Sequence, residues 1–351
     1  MHKTEMVTVP RIEALFDRLD SAGALLTPGL AGSEGNSYGY SQEIEIEGAR
    51  FVKHHVITRL LRKDNDLMVN LGIRNPKAKV YYEYDPSPES SFIFYIDEYT
   101  HQNYLSGDNK KKATRTGIYK YSDNNPKGEL MPVKLCSKNG SPQAFFVTAN
   151  WAPFSAYHFI VLAENDRNRA LKQVYHPGCT LWWIDDLFEQ LNSADYNLFF
   201  SPQGAGNSLD TLHFQIIKGP SFPCFERLGQ KYPQKEPGLI DTKKGDWPFK
   251  GILARYSPET KDRVLSALEE KILLWLKSSP DNTFCLLYQL NQDGCREVFF
   301  VFRKRGLNSI KGISNYISGY EVAGNLIIED RTEYLDFPEI SEKLELMEQK
   351  E

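Results

Sequence analysis

The part of the chain best equipped for chemistry is Phe199–Ile217, FFSPQGAGNSLDTLHFQII. A turn bearing Gly204 and Gly206 leads through Asn207 and Ser208 to a short segment carrying His213 and Gln215. As a strand, that segment places His213 and Gln215 on one face and Leu212, Phe214 and Ile216 on the other. An imidazole then stands beside a carboxamide. Glycines, lacking Cβ atoms, let backbone N–H groups approach an anion. A nucleophile, a donor to charged phosphoryl oxygens and a phosphate cradle are the parts needed for attack at phosphorus. The plain alternative is a half-buried strand with two satisfied polar residues.

Elements on both sides must position this stretch. Helical spacing over residues 10–28 (Ile12, Leu15, Phe16, Leu19) predicts a helix closed by Pro28 and Gly29. Alternation predicts strands at Tyr38–Glu47 and Ala49–Leu61, and SFIFYIDEY (91–99) reads as a buried strand. Residues 101–128 read as a long exposed loop, with Lys110–Lys112 a solvated tip. From Ala144 onward the pattern is regular. Strands are expected at Tyr157–Ala163, Tyr196–Phe200 and Thr211–Ile217, with a helix over Thr180–Leu191. Residues 219–256, rich in Pro, Gly and Lys, read as a linker or surface excursion. Ser257-Pro258-Glu259 then opens a helix to about Ser278, with Ser257 as its N-cap. A hairpin follows around Asn291–Gly294, and Leu326–Ile328 is the last strand. The division expected is a strand-rich portion over 1–143, a catalytic core over 144–218, the excursion, and a helix–hairpin portion over 257–351. The fold class is α+β on a mostly antiparallel sheet.

Composition narrows the function classes. The chain has 351 residues, with 42 Lys+Arg against 46 Asp+Glu and a net charge of −4, so no basic excess marks it as a duplex nucleic-acid binder. An aromatic share of 13% supplies a sizeable core. No apolar run approaches the ~18–20 residues of a membrane span, and the first twenty residues carry no signal-peptide stretch. Five widely spaced cysteines without a CxxC fit reduced thiols, a cytoplasmic location and no structural zinc. His54-His55 is not a metal pair, because adjacent strand residues face opposite ways. Arg59 and Arg62, after the second strand-like stretch, are candidates to reach phosphates.

The motif resembles that of the histidine-triad superfamily, in its transferase and phosphorylase branch with H-x-H-x-Q. Galactose-1-phosphate uridylyltransferase, diadenosine tetraphosphate phosphorylase and GDP-L-galactose phosphorylase belong there. The pattern maps onto Gly206, Ser208, Thr211, His213 and Gln215, with Thr211 standing where many members carry the first histidine. Asn150-Trp151-Ala152-Pro153 before Tyr157-His158, and Ile317–Gly324 (ISGYEVAG), resemble further segments of such proteins, so the likeness covers about 145–330. It implies a histidine-triad-like antiparallel sheet with flanking helices in two related halves. It also implies double displacement through a nucleotidyl-histidine on His213, with Gln215 on a non-bridging oxygen and Gly206, Asn207 and Ser208 on the neighbouring phosphate. The His213 ring nitrogen not used for attack is expected to donate to a backbone carbonyl. Thr211, Asn150 (base or ribose), His158 (site shape), Arg303 (phosphate) and Glu321 (sugar) complete the implied substrate contacts. The substrate implied is a nucleoside diphosphate sugar, on the likeness of Leu212-His213-Phe214-Gln215 to GDP-L-galactose phosphorylase. Phosphate, a sugar phosphate or water would resolve the intermediate, and no cofactor or metal is expected. A dinucleoside polyphosphate phosphorylase or hydrolase, and a catalytically reduced nucleotide-binding protein, are the alternatives. Oligomeric state stays open.

Overall fold

The structure is a computed structural model that describes residues 6–21, 39–46, 48–56, 80–84, 92–96, 131–150, 153, 155, 157–163, 171–206, 211–233, 236–291, 293–305 and 317–328. Its centre is a nine-stranded sheet. In chain order the strands are β5 (Met131–Cys136), β6 (Pro142–Ala149), β7 (His158–Ala163), β8 (Tyr196–Phe200), β9 (His213–Lys218), β10 (Gly238–Asp241), β11 (Gly251–Tyr256), β12 (Asn282–Leu290) and β13 (Arg296–Lys304). They lie side by side as β10-β11-β13-β12-β8-β9-β7-β6-β5. Every neighbouring pair is antiparallel. The order β6-β7-β9-β8 on one side is matched by β10-β11-β13-β12 on the other, and β8 meets β12 at the middle. Each path has a helix at the same step, α2 (Thr180–Leu191) between β7 and β8 and α4 (Lys261–Ser278) between β11 and β12.

Alternation along the strands builds a core on each face. Leu212, Phe214 and Ile216 enter one of them, with α1 (Val9–Ser21), α2 and α4 packed over it through Phe16, Leu187 and Leu268. α2 ends where Asn192 turns left-handed (φ 44°) and its N–H caps the Phe188 carbonyl. The opposite core is covered by α3 (Pro223–Lys231), α5 (Gly319–Val322) and a small sheet of β1 (Gly39–Ile46), β2 (Ala49–Val56) and β14 (Asn325–Ile328). β14 runs parallel to β2, which sets Asn325–Ile328 alongside Val52–His55. β3 (Val80–Tyr84) and β4 (Phe92–Ile96) form a separate hairpin.

Three expectations change. Residues 219–256 are no linker: they contain α3, β10 and β11 and bury Cys224, Phe225, Leu228, Trp247 and Phe249. Proline and glycine marked the turns between these short elements and hid the elements themselves. The helix expected to start at Ser257 starts at Lys261 with Thr260 as N-cap, because Thr260 N–H donates to the Ser257 carbonyl in a preceding turn. The strand expected from Thr211 begins at His213, and Thr211 makes only an isolated bridge with Lys172. The loop at 101–128 lies outside the described residues, as do Arg59 and Arg62. No described helix is long and apolar enough to cross a membrane. All five cysteines are free thiols.

Candidate active site

His213 opens β9 and is only 4% exposed. Its Nδ1 lies 2.8 Å from the carbonyl oxygen of Thr211. A carbonyl only accepts, so Nδ1 carries the proton and Nε2 keeps the lone pair. Burial pushes the imidazole pKa down to about 4, against a small opposing contribution from the Thr211 bond. The ring is therefore neutral at pH 7, with its nucleophilic nitrogen fixed. Thr211, at the first-histidine position of the motif, acts here through its backbone carbonyl.

Gln215, two residues on, occupies the same face. His158 enters β7 fully buried, and its Nε2–H donates to Gln215 Oε1 at 2.9 Å. Asn150 Nδ2 lies 3.2 Å from the same Nε2 and 3.4 Å from His158 Nδ1. The Gln215 amide thus presents its oxygen to His158. Its NH2 group donates to no described residue. Asn150, expected at a base or ribose, thus has its amide beside His158, and its N–H donates to the His158 carbonyl at 2.7 Å. His158, expected to shape the site, is thus in contact with the side chain of Gln215.

The glycine turn, Ser201–Gly206, is held from below. Gly204 and Gly206 both sit at φ +86°, which L side chains rarely adopt. A Cβ on Gly206 would stand 2.1 Å from the Ile317 carbonyl oxygen, so the tightness there comes from the protein's own chain. Arg303 Nη1 donates to the Ala205 carbonyl at 2.7 Å and contacts Cys285 Sγ at 3.2 Å. Arg303 is fully buried, and among the described residues its Nη1 supports the turn. Gly319 N–H donates to Ser201 Oγ at 2.9 Å, tying the segment before β14 to the same turn. Glu321, expected at a sugar, closes a capping box: Ser318 N–H and Oγ both donate to its Oε2. The N–H groups of Gly204 and Gly206 donate to no described residue, and Asn207 and Ser208 lie outside the described residues.

Gln173, buried to 1% exposure, is the residue missed from sequence. It sits in an unpatterned run, LKQVY, that carries no motif. Its Oε1 accepts from His213 N–H at 2.7 Å, and its Nε2 donates to the carbonyls of Ser201 (2.9 Å) and His213 (3.1 Å). Among the described residues no group of three or more His, Cys, Asp or Glu is placed to hold a metal ion.

The fold is α+β, an all-antiparallel nine-stranded sheet with a buried histidine beside a glycine turn. Two solved structures of yeast Ap4A phosphorylase Apa2, one of them in complex with AMP, share it with a TM-score of 0.54 and 12% identity. In each case the match covers 97% of this chain and 92% of the other. At that identity the likeness shows the fold alone. No protein-family model matches the chain, and no curated protein sequence matches it either.

Proposed function

We propose that the protein is a nucleotidyl transferase that splits dinucleoside polyphosphates, with His213 as its nucleophile. The observation that carries this reading is the ring of His213, neutral, with Nδ1–H held by the Thr211 carbonyl and Nε2 left for attack. Fold likeness to Ap4A phosphorylase favours a dinucleoside polyphosphate over the nucleoside diphosphate sugar expected from the motif. The two matched strand paths are read as related halves, of which one carries the chemistry.

In this reading Nε2 attacks an α-phosphorus, forms a P–N bond and breaks the P–O bond to the leaving nucleotide. The leaving group departs as a phosphate anion and needs no acid from Thr211. The imidazolium so formed keeps its Nδ1 proton against the Thr211 carbonyl. Gln215 NH2, aimed by His158, donates to a non-bridging oxygen, and the Gly204 and Gly206 amides, with Ser208 assigned from the motif, bind the next phosphate. Inorganic phosphate then displaces the histidine and releases a nucleoside diphosphate.

The test is incubation with diadenosine polyphosphates and, in parallel, nucleoside diphosphate sugars, read by intact mass and product analysis. An adduct with the former that is lost in His213→Ala is expected. An adduct only with nucleotide sugars would reassign the substrate, and nucleotide binding with neither adduct nor turnover would leave a binding protein.

A further inference from the structure

We propose that Gln173 is a positioning residue that sets the nucleophile against the phosphate-facing turn. Two pieces of chain must keep a fixed spacing for in-line attack: the start of β9, which carries His213, and the turn 201–206, whose Gly204 and Gly206 amides the proposed function assigns to the neighbouring phosphate. They are linked through the sequence only by residues 207–212, and they meet again at Gln173. The one amide accepts from His213 N–H at 2.7 Å and donates to His213 O at 3.1 Å and to Ser201 O at 2.9 Å. Its own backbone carbonyl accepts from Gln203 N–H at 2.6 Å.

The run around Gln173 works the same way. Leu171 carbonyl accepts from Leu212 N–H at 2.8 Å, and Lys172 bridges to Thr211, whose carbonyl holds His213 Nδ1. A slip at this point moves the Thr211 carbonyl away from the ring and releases the tautomer. Only a carboxamide meets the demand, because the site offers one donor on one side and two carbonyl acceptors on the other. A glutamate there would set a carboxylate oxygen against both carbonyls. A methionine of similar length would leave the His213 N–H and two carbonyls unpaired.

This assignment rests on His213 being the nucleophile, and the test separates the two ideas. Gln173→Met, Gln173→Glu and the milder Gln173→Asn are compared with the full-length parent in two ways. One readout is the rate of adduct formation per folded molecule at saturating diadenosine polyphosphate, beside KM. The other is the 15N signature of the His213 ring, which reports the tautomer without any substrate. Displacement of reacting atoms by about 1 Å is worth on the order of 10²-fold in rate. A loss of that order is expected for Met and Glu, a smaller one for Asn, with KM little changed and the ring shifting from a single Nδ1–H form to a mixture. If Met and Glu do not fold, Asn alone decides on the same readouts. Wild-type rates per folded molecule and an unmoved ring signature, with only the melting temperature lowered, would make Gln173 a packing residue and overturn the proposal. Absence of any adduct in the parent protein would refute the transfer reading, and the ring signature would then decide Gln173 by itself.

Discussion

Burial keeps His213 uncharged far below the pH at which an exposed histidine takes up its proton. That has a thermodynamic counterpart. Between pH 6.5 and about 4 the unfolded chain binds a proton at this position and the folded chain does not, so stability falls as the pH falls through that window. The contribution is complete above pH 6.5, and the full displacement is worth on the order of 3 kcal/mol. His54 in β2 is lowered in the same direction by burial, partly offset by its bond to Asn325. Denaturant unfolding at pH 7.5 and 4.5 should therefore show a pH-dependent loss that shrinks in His213→Gln, and an equal loss in both proteins would contradict the burial argument. For activity, the acid limb of kcat/KM is expected near pH 4 rather than near 6.5. His158 acts one step behind. Replacing it by Phe keeps the ring but removes the bond that orients Gln215. Adduct formation should fall by about 10²-fold, as for loss of one oxyanion donor, with stability lowered by about 1–3 kcal/mol for the unpaired amides. Full activity in His158→Phe would show that Gln215 needs no such orientation.

At the scale of elements, the turn 201–206 and the segment entering β14 are locked to each other at Gly206. Gly140 offers an internal comparison, since it has a similar positive φ of +77° but open space around a notional Cβ. Gly140→Ala should cost only the backbone penalty of about 1–2 kcal/mol. Gly206→Ala adds a Cβ at 2.1 Å from a carbonyl oxygen and should cost at least twice as much, read from urea midpoints. Equal costs would mean that the two segments give way easily. The same contrast explains what was legible in the chain. The faces of β9 could be read from Leu212–Gln215 because strand alternation is a local property, and Leu212 and Phe214 are indeed fully buried. The Nδ1 bond of His213 was equally open to reading, since its partner is two residues away. Gln173 and Arg303 were not, because their partners lie 40 and 98 residues distant and are set by register rather than pattern. β5 was missed although Met131, Val133 and Leu135 alternate inward, and its pairing with β6 is what makes that alternation meaningful.

On the scale of the whole molecule, the two matched paths share a framework but not the side chains they present. β9 presents His213 and Gln215 on the face where β13 presents Glu297, Phe299, Val301 and Arg303. Glu297 there is spent on Arg255, with Arg255 Nε 2.6 Å from its Oε1 and both side chains buried. The opposite face carries the tie between the paths. Asp185 of α2, fully buried, accepts from Tyr256 of β11 and Tyr288 of β12, each at 3.0 Å. It also pairs with Arg296 of β13 at 3.1 Å and Lys261 of α4 at 2.5 Å. One carboxylate on the first path thus holds four groups of the second, across a sheet already continuous through β8 and β12. Removing one partner of a buried pair costs about 3–5 kcal/mol, because the other charge is left uncompensated. Asp185→Ala should lose stability of that order, and the loss should fall on both paths together. Trp182 and Trp183 report on α2, and Trp275 reports on α4. In variants keeping one reporter group or the other, unfolding should give coincident midpoints, which Asp185→Ala lowers by the same amount. A transition at Trp275 that separates from the one at Trp182 and Trp183 would show that the carboxylate joins two units that fold independently.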